Sequence, residues 1–203
     1  SRQIAREDLG IPQSAVVIGS FQKDGNGWGA GETPKLIKGP DIFLKTIELL
    51  KNHIPELFVL LTGPARGYVK EGLTGMGVPY QYHFLDQYNE IPRLYQALDV
   101  YMVSSREEGG PKAVLESMAS GIPLITTRVG QAVDLIEHGV NGWITKVEDV
   151  DALAYWVHYV VDKSDSIREI LINARKTAVE NSYNAQTQLW KNFIEEFVEV
   201  PPN

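Results

Sequence analysis

Short, unbroken apolar runs alternate with helix-spaced patterns from residue 15 to about residue 144. Ala15–Gly19, Leu57–Leu61, Val100–Val103 and Pro123–Thr127 read as strands, and shorter ones follow around Tyr80–Phe84 and Gly142–Ile144. An apolar strand without period-two alternation is one covered on both faces. Between these runs the spacing predicts helices at Asp41–Lys51, around Tyr68–Met76, at Ile91–Ala97 and at Pro111–Ser120. The last has proline in its first turn, where a missing N–H costs nothing. Strand–helix alternation of this kind implies right-handed crossovers and a parallel sheet. The expected fold class is α/β, a Rossmann-like doubly wound parallel sheet of about six strands with extra C-terminal helices. Those helices are read from three groups at helical spacing: Leu153, Trp156, Val157, Val160 and Val161; then Ile167, Ile170, Leu171, Ala174 and Ala178; then Leu189, Phe193 and Phe197, with Trp190 and Ile194 beside them.

At 203 residues the chain is expected to be a single domain over 1–203. Its net charge of −7, from 19 basic and 26 acidic side chains, argues against a nucleic-acid binder, which needs a basic face. A small anionic ligand stays possible, because a basic pocket can sit on an acidic protein. With no cysteine, disulfides, iron–sulfur clusters and thiolate zinc sites are excluded. No apolar run approaches the ~18 residues of a membrane-spanning helix. Residues Ser1–Arg6 contain no apolar signal core. The expected location is the cytoplasm; a peripheral place at a membrane for a longer parent protein is left open.

Open parallel sheets bind ligands at the carboxyl ends of their strands. Chemistry is therefore sought in loops 20–40, 62–68, 85–90 and 104–112. The first holds the glycine-rich run 25–31, in which Gly25, Gly27 and Ala30 match the dinucleotide fingerprint literally. That fingerprint requires a helix to open on its last glycine, and here Glu32-Thr33-Pro34-Lys35 intervenes. The run is either a surface loop or a loop that folds across a ligand. Lys38-Gly39 is in the wrong order for a Walker A motif.

The stretch from Ser104 to Glu116 is the most informative. It runs from a strand end through Gly109-Gly110 into a helix opening on Pro111. A helix N-terminus offers unpaired N–H groups and a partial positive charge, and so attracts anions. Arg106 and Lys112 add cationic charge, while Glu108 and Glu116 flank the turn. An ionised carboxylate only accepts hydrogen bonds, so it holds hydroxyls rather than phosphate. Phosphate donors between two carboxylates suit a ligand with a diphosphate in the middle and a sugar at each end. Each glutamate alone is an ordinary helix-start residue; the combination is what points to function.

This segment resembles the glutamate–seven residues–glutamate motif of the retaining, group 1 glycosyltransferases of the GT-B fold. The continuation Ser117–Ile125, then Val129-Gly130, Asp134–Ile136 and Gly139–Trp143, is similar to that family in order, as are Leu94–Val100, Leu61–Pro64 and Lys38-Gly39. The resemblance spans about residues 15 to 163, with a looser match near Trp190. It implies the C-terminal, nucleotide-sugar donor-binding half of a two-domain enzyme that transfers a sugar with retention of configuration.

By the same resemblance, Glu108 contacts the donor sugar as the catalytic residue and Glu116 holds the ribose hydroxyls. Lys38, Lys112, Arg106 and the backbone of Gly109, Gly110, Pro111, Ala113 and Val114 would hold the diphosphate. The family usually places an arginine after the first strand. Here the residue is Lys23, which either replaces it or is a solvated turn lysine. Arg66, at another strand end, is a further candidate donor contact, and Leu85 and Gln87 fall where the nucleobase is expected. No cofactor or metal is expected, and His53, His83, His138 and His158 make no ligand-spaced cluster with carboxylates.

The expected partners are a nucleotide-sugar donor and an acceptor glycan, lipid or small molecule carried by a missing N-terminal domain. Residues 1–14 are read as a linker remnant containing the tail of a helix. The helix over 183–199 is expected to pack toward that missing domain and so to expose Leu189, Trp190, Phe193 and Phe197. Tyr155, Trp156 and Tyr159 are read as core packing. Two alternatives remain: a non-catalytic nucleotide- or sugar-phosphate-binding module, and a sugar-nucleotide epimerase of the same fold.

Overall fold

The sheet contains six parallel strands: β1 (Val16–Phe21), β2 (Leu57–Thr62), β3 (Tyr80–His83), β4 (Val100–Val103), β5 (Leu124–Thr127) and β6 (Trp143–Thr145). Their spatial order is β3-β2-β1-β4-β5-β6. The computed structural model describes residues 1–27, 29–164, 166–195 and 197. Strand order reverses between β1 and β4, which pair through Ile18 opposite Val100. The crevice at such a reversal is where an open α/β sheet holds its ligand.

Both faces of the sheet are buried, as the unbroken apolar runs require. Val17, Leu60, Tyr101 and Leu124 point to one face, against Leu94 and Tyr95 of α4 (Ile91–Gln96), Val114 and Met118 of α5 (Lys112–Ser120) and Ala174 of α8 (Arg168–Glu180). Their neighbours Ile18, Val59, Val100 and Ile125 point to the other. There they meet Phe43 and Ile47 of α2 (Pro40–Lys51), Leu73 of α3 (Gly67–Met76) and Leu153 and Val157 of α7 (Val150–Asp162). The result is a three-layer α/β sandwich. A further short helix, α6 (Ala132–Leu135), follows β5.

The first residues hold the helix expected within 1–14, docked on the core. They form α1 (Arg2–Leu9), capped by the Ser1 hydroxyl and closed by Gly10. Ala5 and Leu9 enter the core. Arg6 is buried, donates to the carbonyls of Ala97, Gln13 and Ala15, and pairs with Asp99 at 2.7 Å. Asp99 also accepts from the Val17 amide at 2.8 Å, tying α1 to the start of β1. The charged face of α1 hides its short apolar spacing in the sequence.

The C-terminal helix α9 (Tyr183–Glu195) has no buried residue, and residues 196, 198 and 199 of the 183–199 span lie outside the described residues. Leu189, Trp190, Phe193 and Phe197 are all exposed, Phe197 by 73%. The core reading of the α7 aromatics holds only for Trp156, which packs against the core; Tyr155 and Tyr159 are exposed and stack on each other.

Removing one partner of a buried, multiply bonded ion pair leaves an unpaired charge, at a cost of about 3 kcal/mol. Arg6→Ala is expected to destabilise the chain by that order in denaturant unfolding. Arg2→Ala, which breaks an exposed contact to the same Asp99, should change stability by no more than about 0.5 kcal/mol.

Candidate functional site

The reversal between β1 and β4 opens into a cleft of about 840 Å³ at the carboxyl ends of the strands. Its walls come from the ends of β1, β2 and β4, the loop after β3 and the start of α5. Four lysines line it (Lys23, Lys35, Lys38 and Lys112) together with three carboxylates (Asp86, Glu108 and Glu116).

Backbone pairing between two loops assembles one side. The amides of Arg106 and Glu107 both donate to the Ile37 carbonyl, at 2.8 and 3.1 Å. The Ser104 hydroxyl donates to the Gly39 carbonyl at 2.9 Å. This closeness needs glycine: Gly39 has φ +62°, and a Cβ there would lie 1.9 Å from the Ser104 carbonyl oxygen. The pairing sets Lys38 Nζ at 2.5 Å from Glu108 Oε2, and the Ser105 hydroxyl donates to Glu108 Oε1 at 2.8 Å. The Glu108 side chain is only 10% exposed.

The opposite side is the start of α5. Its N-cap is Pro111, with no side-chain hydrogen bond to the first-turn amides. The turn before it is braced from behind. The Gln131 amide donates to the Gly109 carbonyl and its side chain to the Pro111 carbonyl, both at 2.9 Å. Gly130 packs so tightly on this turn that a Cβ would lie 2.1 Å from the Gly109 oxygen. One turn into α5, Glu116 accepts from Tyr88 at Oε1 and from Tyr95 at Oε2, the latter at 3.2 Å. Burial, then the hydrogen bond to Glu116, push the Tyr88 hydroxyl up to about 12, so it is a donor at neutral pH. Lys112 Nζ lies 5.5 Å from the centre of the Tyr88 ring.

The cleft therefore brings together Glu108, Glu116, Lys38, Lys23, Gly110, Pro111, Lys112, Ala113 and Leu85. Gly109 stands behind the wall, supporting the turn. Four other expected residues sit elsewhere. Val114 is buried in the core and its amide already donates to the Pro111 carbonyl, so it has nothing to offer a ligand. Gln87 is exposed outside the cleft, while Leu85, Asp86 and Tyr88 around it line the wall. Arg106 turns away to a two-bond pair with Asp41 at 2.7 and 2.8 Å, a contact with Glu148 and the Leu36 carbonyl. It builds the loop that carries Lys38 rather than touching the cleft.

Arg66 is wholly buried beneath the cleft. It donates to the carbonyls of Ser20, Gln22 and Thr62 at 2.7–3.0 Å and pairs with buried Asp24 at 3.1 Å. Burial pulls its guanidinium below the usual range and raises Asp24. The glycine-rich loop is tied down here. Gly25 bridges Pro34, and the carbonyls of Ala30 and Gly31 accept from the first amides of α3, Gly67 and Tyr68, at 2.7 and 2.9 Å. The N-terminus of α3 is thus closed by the protein's own carbonyls, whereas that of α5 faces the cleft.

Sequence reasoning missed Lys35, Ser105, Tyr88 and Tyr95. Lys35 lies three residues before Lys38 and could have been found by that spacing. Nothing in the sequence pairs Tyr88 or Tyr95 with Glu116. No group of three or more His, Asp or Glu side chains able to hold a metal occurs among the described residues. Nor is any described helix long and apolar enough to cross a membrane.

A sequence model of the family described as "Glycosyl transferases group 1" matches residues 34–178. The chain is 29% identical over 167 residues to an uncharacterised glycosyltransferase of Methanocaldococcus jannaschii, covering 80% of this chain and 41% of that protein. Among solved structures, HepE of Anabaena in complex with UDP superposes with a TM-score of 0.77 at 24% identity, over 96% of this chain and 52% of HepE. The C-terminal domain of a group 1 glycosyl transferase from Francisella tularensis does so with a TM-score of 0.71 at 20% identity, over 89% of this chain and 92% of that domain. The chain spans less than half of the length of the curated relatives it matches, 41–45% for those of M. jannaschii, Rhizobium meliloti and Corynebacterium urealyticum.

The Asp41–Arg106 pair gives a pH prediction. Hydrogen bonds from Arg106 hold the Asp41 carboxyl below its ordinary value of 3.8. A depressed folded-state value adds stability that is complete above the unfolded value and is lost as pH falls through the folded one. Asp41→Asn should therefore cost about 1 kcal/mol at neutral pH, and thermal unfolding of the two proteins should converge as pH falls below 3.8.

Proposed function

The chain belongs to the group 1 glycosyl transferases, and on that premise we propose that it is the donor-binding half of a retaining enzyme that moves a sugar from a nucleoside diphosphate to an acceptor. The observation that carries this reading is the arrangement of the cleft. An uncapped helix start and lysines lie between two carboxylates, each already engaged by hydrogen-bond donors of the kind a sugar would replace. The HepE complex, which contains UDP, supports the ligand class. The fold shared with an isolated C-terminal domain supports the position in the parent enzyme.

In this reading the diphosphate lies over the first turn of α5. The Lys112 and Ala113 amides, Gly110 and the ammonium groups of Lys38, Lys112 and Lys23 face it. Negative charge accumulates on the diphosphate as the sugar leaves, and fixed dipoles and cations aimed at it lower the barrier. Glu108 accepts from donor-sugar hydroxyls, and Lys38, now its partner, is close enough to be shared with the phosphate. Glu116 accepts from the ribose diol, and Leu85 lies beside the base. Lysines and helix amides supply the positive charge, so the reading needs no metal ion, and chelation with EDTA should leave nucleotide binding unchanged.

The acceptor would bind to a further domain. The exposed stripe of Leu189, Trp190, Phe193 and Phe197 is offered as the surface that meets it. An apolar row of this size is unusual on a monomer's own exterior.

Glu108→Gln in the enzyme carrying both domains should lower sugar transfer by about a thousandfold while the fold and nucleotide binding persist. Product formation from a labelled nucleotide sugar is the readout. Transfer at a near-normal rate would remove Glu108 from the chemistry.

A further inference from the structure

The cleft is self-paired. Lys38 neutralises Glu108, and the two oxygens of Glu116 are taken by Tyr88 and Tyr95. The two tyrosines differ. Tyr95 is fully buried in the core, with its ring against Phe21 and Tyr101, and cannot leave. Tyr88 is 63% exposed, sits on the single 3-10 turn Tyr88–Glu90 after β3, and touches the body of the cleft through its hydroxyl and through Lys112 over its ring. A phenol hydroxyl donating to a carboxylate oxygen makes the bond that one hydroxyl of a vicinal diol would make there.

We propose that Tyr88 is a displaceable stand-in for a ribose hydroxyl: it caps Glu116 in the empty cleft and competes with the nucleotide's ribose for that carboxylate. The inference rests on the reading of Glu116 as a ribose-binding group. Its consequence is a weakened hold on the nucleoside diphosphate. Binding requires Tyr88 to leave, so the observed affinity is reduced by the fraction of time Glu116 is uncapped. On departure of the nucleotide the hydroxyl returns, and Glu116 is never left without a donor. Because Lys112 rests over the Tyr88 ring, the same movement that uncovers Glu116 releases an ammonium group at the start of α5. One displacement thus readies both a diol acceptor and a phosphate partner.

The test is calorimetric titration of the chain and of Tyr88→Phe, which keeps the ring and loses the hydroxyl. The probes are UDP, GDP and ADP and their 2′,3′-dideoxy forms. Tyr88→Phe should bind the preferred ribonucleotide about five- to tenfold more tightly. It should bind the dideoxy form with an affinity within about twofold of the unaltered chain, because that ligand never asks Tyr88 to move. Glu116→Ala should abolish the difference between the ribo and dideoxy forms. Unchanged or weaker ribonucleotide binding by Tyr88→Phe overturns the proposal. Equal tightening of both forms also overturns it, by making Tyr88 a steric cover instead of a competitor. If the unaltered chain binds none of the ribonucleotides, the donor-site reading itself fails and takes this inference with it. Binding by Tyr88→Phe with no preference for ribose over dideoxyribose removes Glu116 as the ribose acceptor and overturns this inference, while the donor-site reading stands.

Discussion

The buried guanidinium of Arg66 is the fixed point on which the cleft is built. A charge with no exposure is tolerable only when it is paired and fully hydrogen-bonded. Arg66 comes part of the way to that demand: its terminal nitrogens gather carbonyls from the ends of β1 and β2, while its Nε faces the Asp24 carboxylate at 3.1 Å as an ion pair without a hydrogen bond. Those carbonyls belong to strand ends, where the sheet ladder no longer supplies partners. One side chain therefore ends two strands together and holds the chain that leaves β1. The Lys35 amide donates to the Asp24 carbonyl at 2.7 Å, so the loop after β1 returns at a fixed place. Lys35 and Lys38 reach the cleft because of that return.

From there the structure divides labour between residues that look alike in sequence. Arg66 and Arg106 are both cations at strand ends, and both are consumed by the scaffold. Lys38 and Lys112 are at the cleft wall. The difference follows from geometry: a planar guanidinium with five donors suits carbonyl clusters and two-bond carboxylate pairs, and a lysine ammonium on a flexible stem can change partners. Likewise helices α3 and α5 both open at this end of the sheet beside glycine turns. The amides of α3 are closed by Ala30 and Gly31, whereas α5 presents its first turn to the cleft. The glycine-rich run, a literal match to a dinucleotide motif, serves as that closure.

How much was legible follows from which signals are local. The strands, their parallel order and the α5 turn were written in continuous apolar runs and in Gly109-Gly110-Pro111. Glu108, Glu116 and Lys112 fell in the cleft because their spacing around a helix start fixes their position, whereas Lys38, on a distant loop, was legible only through the family resemblance. Arg66 and Arg106 were misplaced because a sequence shows the charge of an arginine and not its distant partners. A helix tail was read within residues 1–14, but the docking of α1 was not, because only Ile4, Ala5 and Leu9 interrupt its polar surface and the burial of Arg6 depends on Asp99, 93 residues away. Tyr88 and Tyr95 escaped for the same reason, their partner Glu116 lying on another element.

The central claim is that a nucleoside diphosphate lies across the start of α5. The most direct measurement is an amide NMR titration of the isotopically labelled chain with UDP, GDP or ADP. The account predicts saturable shifts at the amides of Gly110, Lys112 and Ala113 and at Lys38 and Tyr88. Shifts confined to surfaces away from α5, or none at saturating nucleotide, would contradict it.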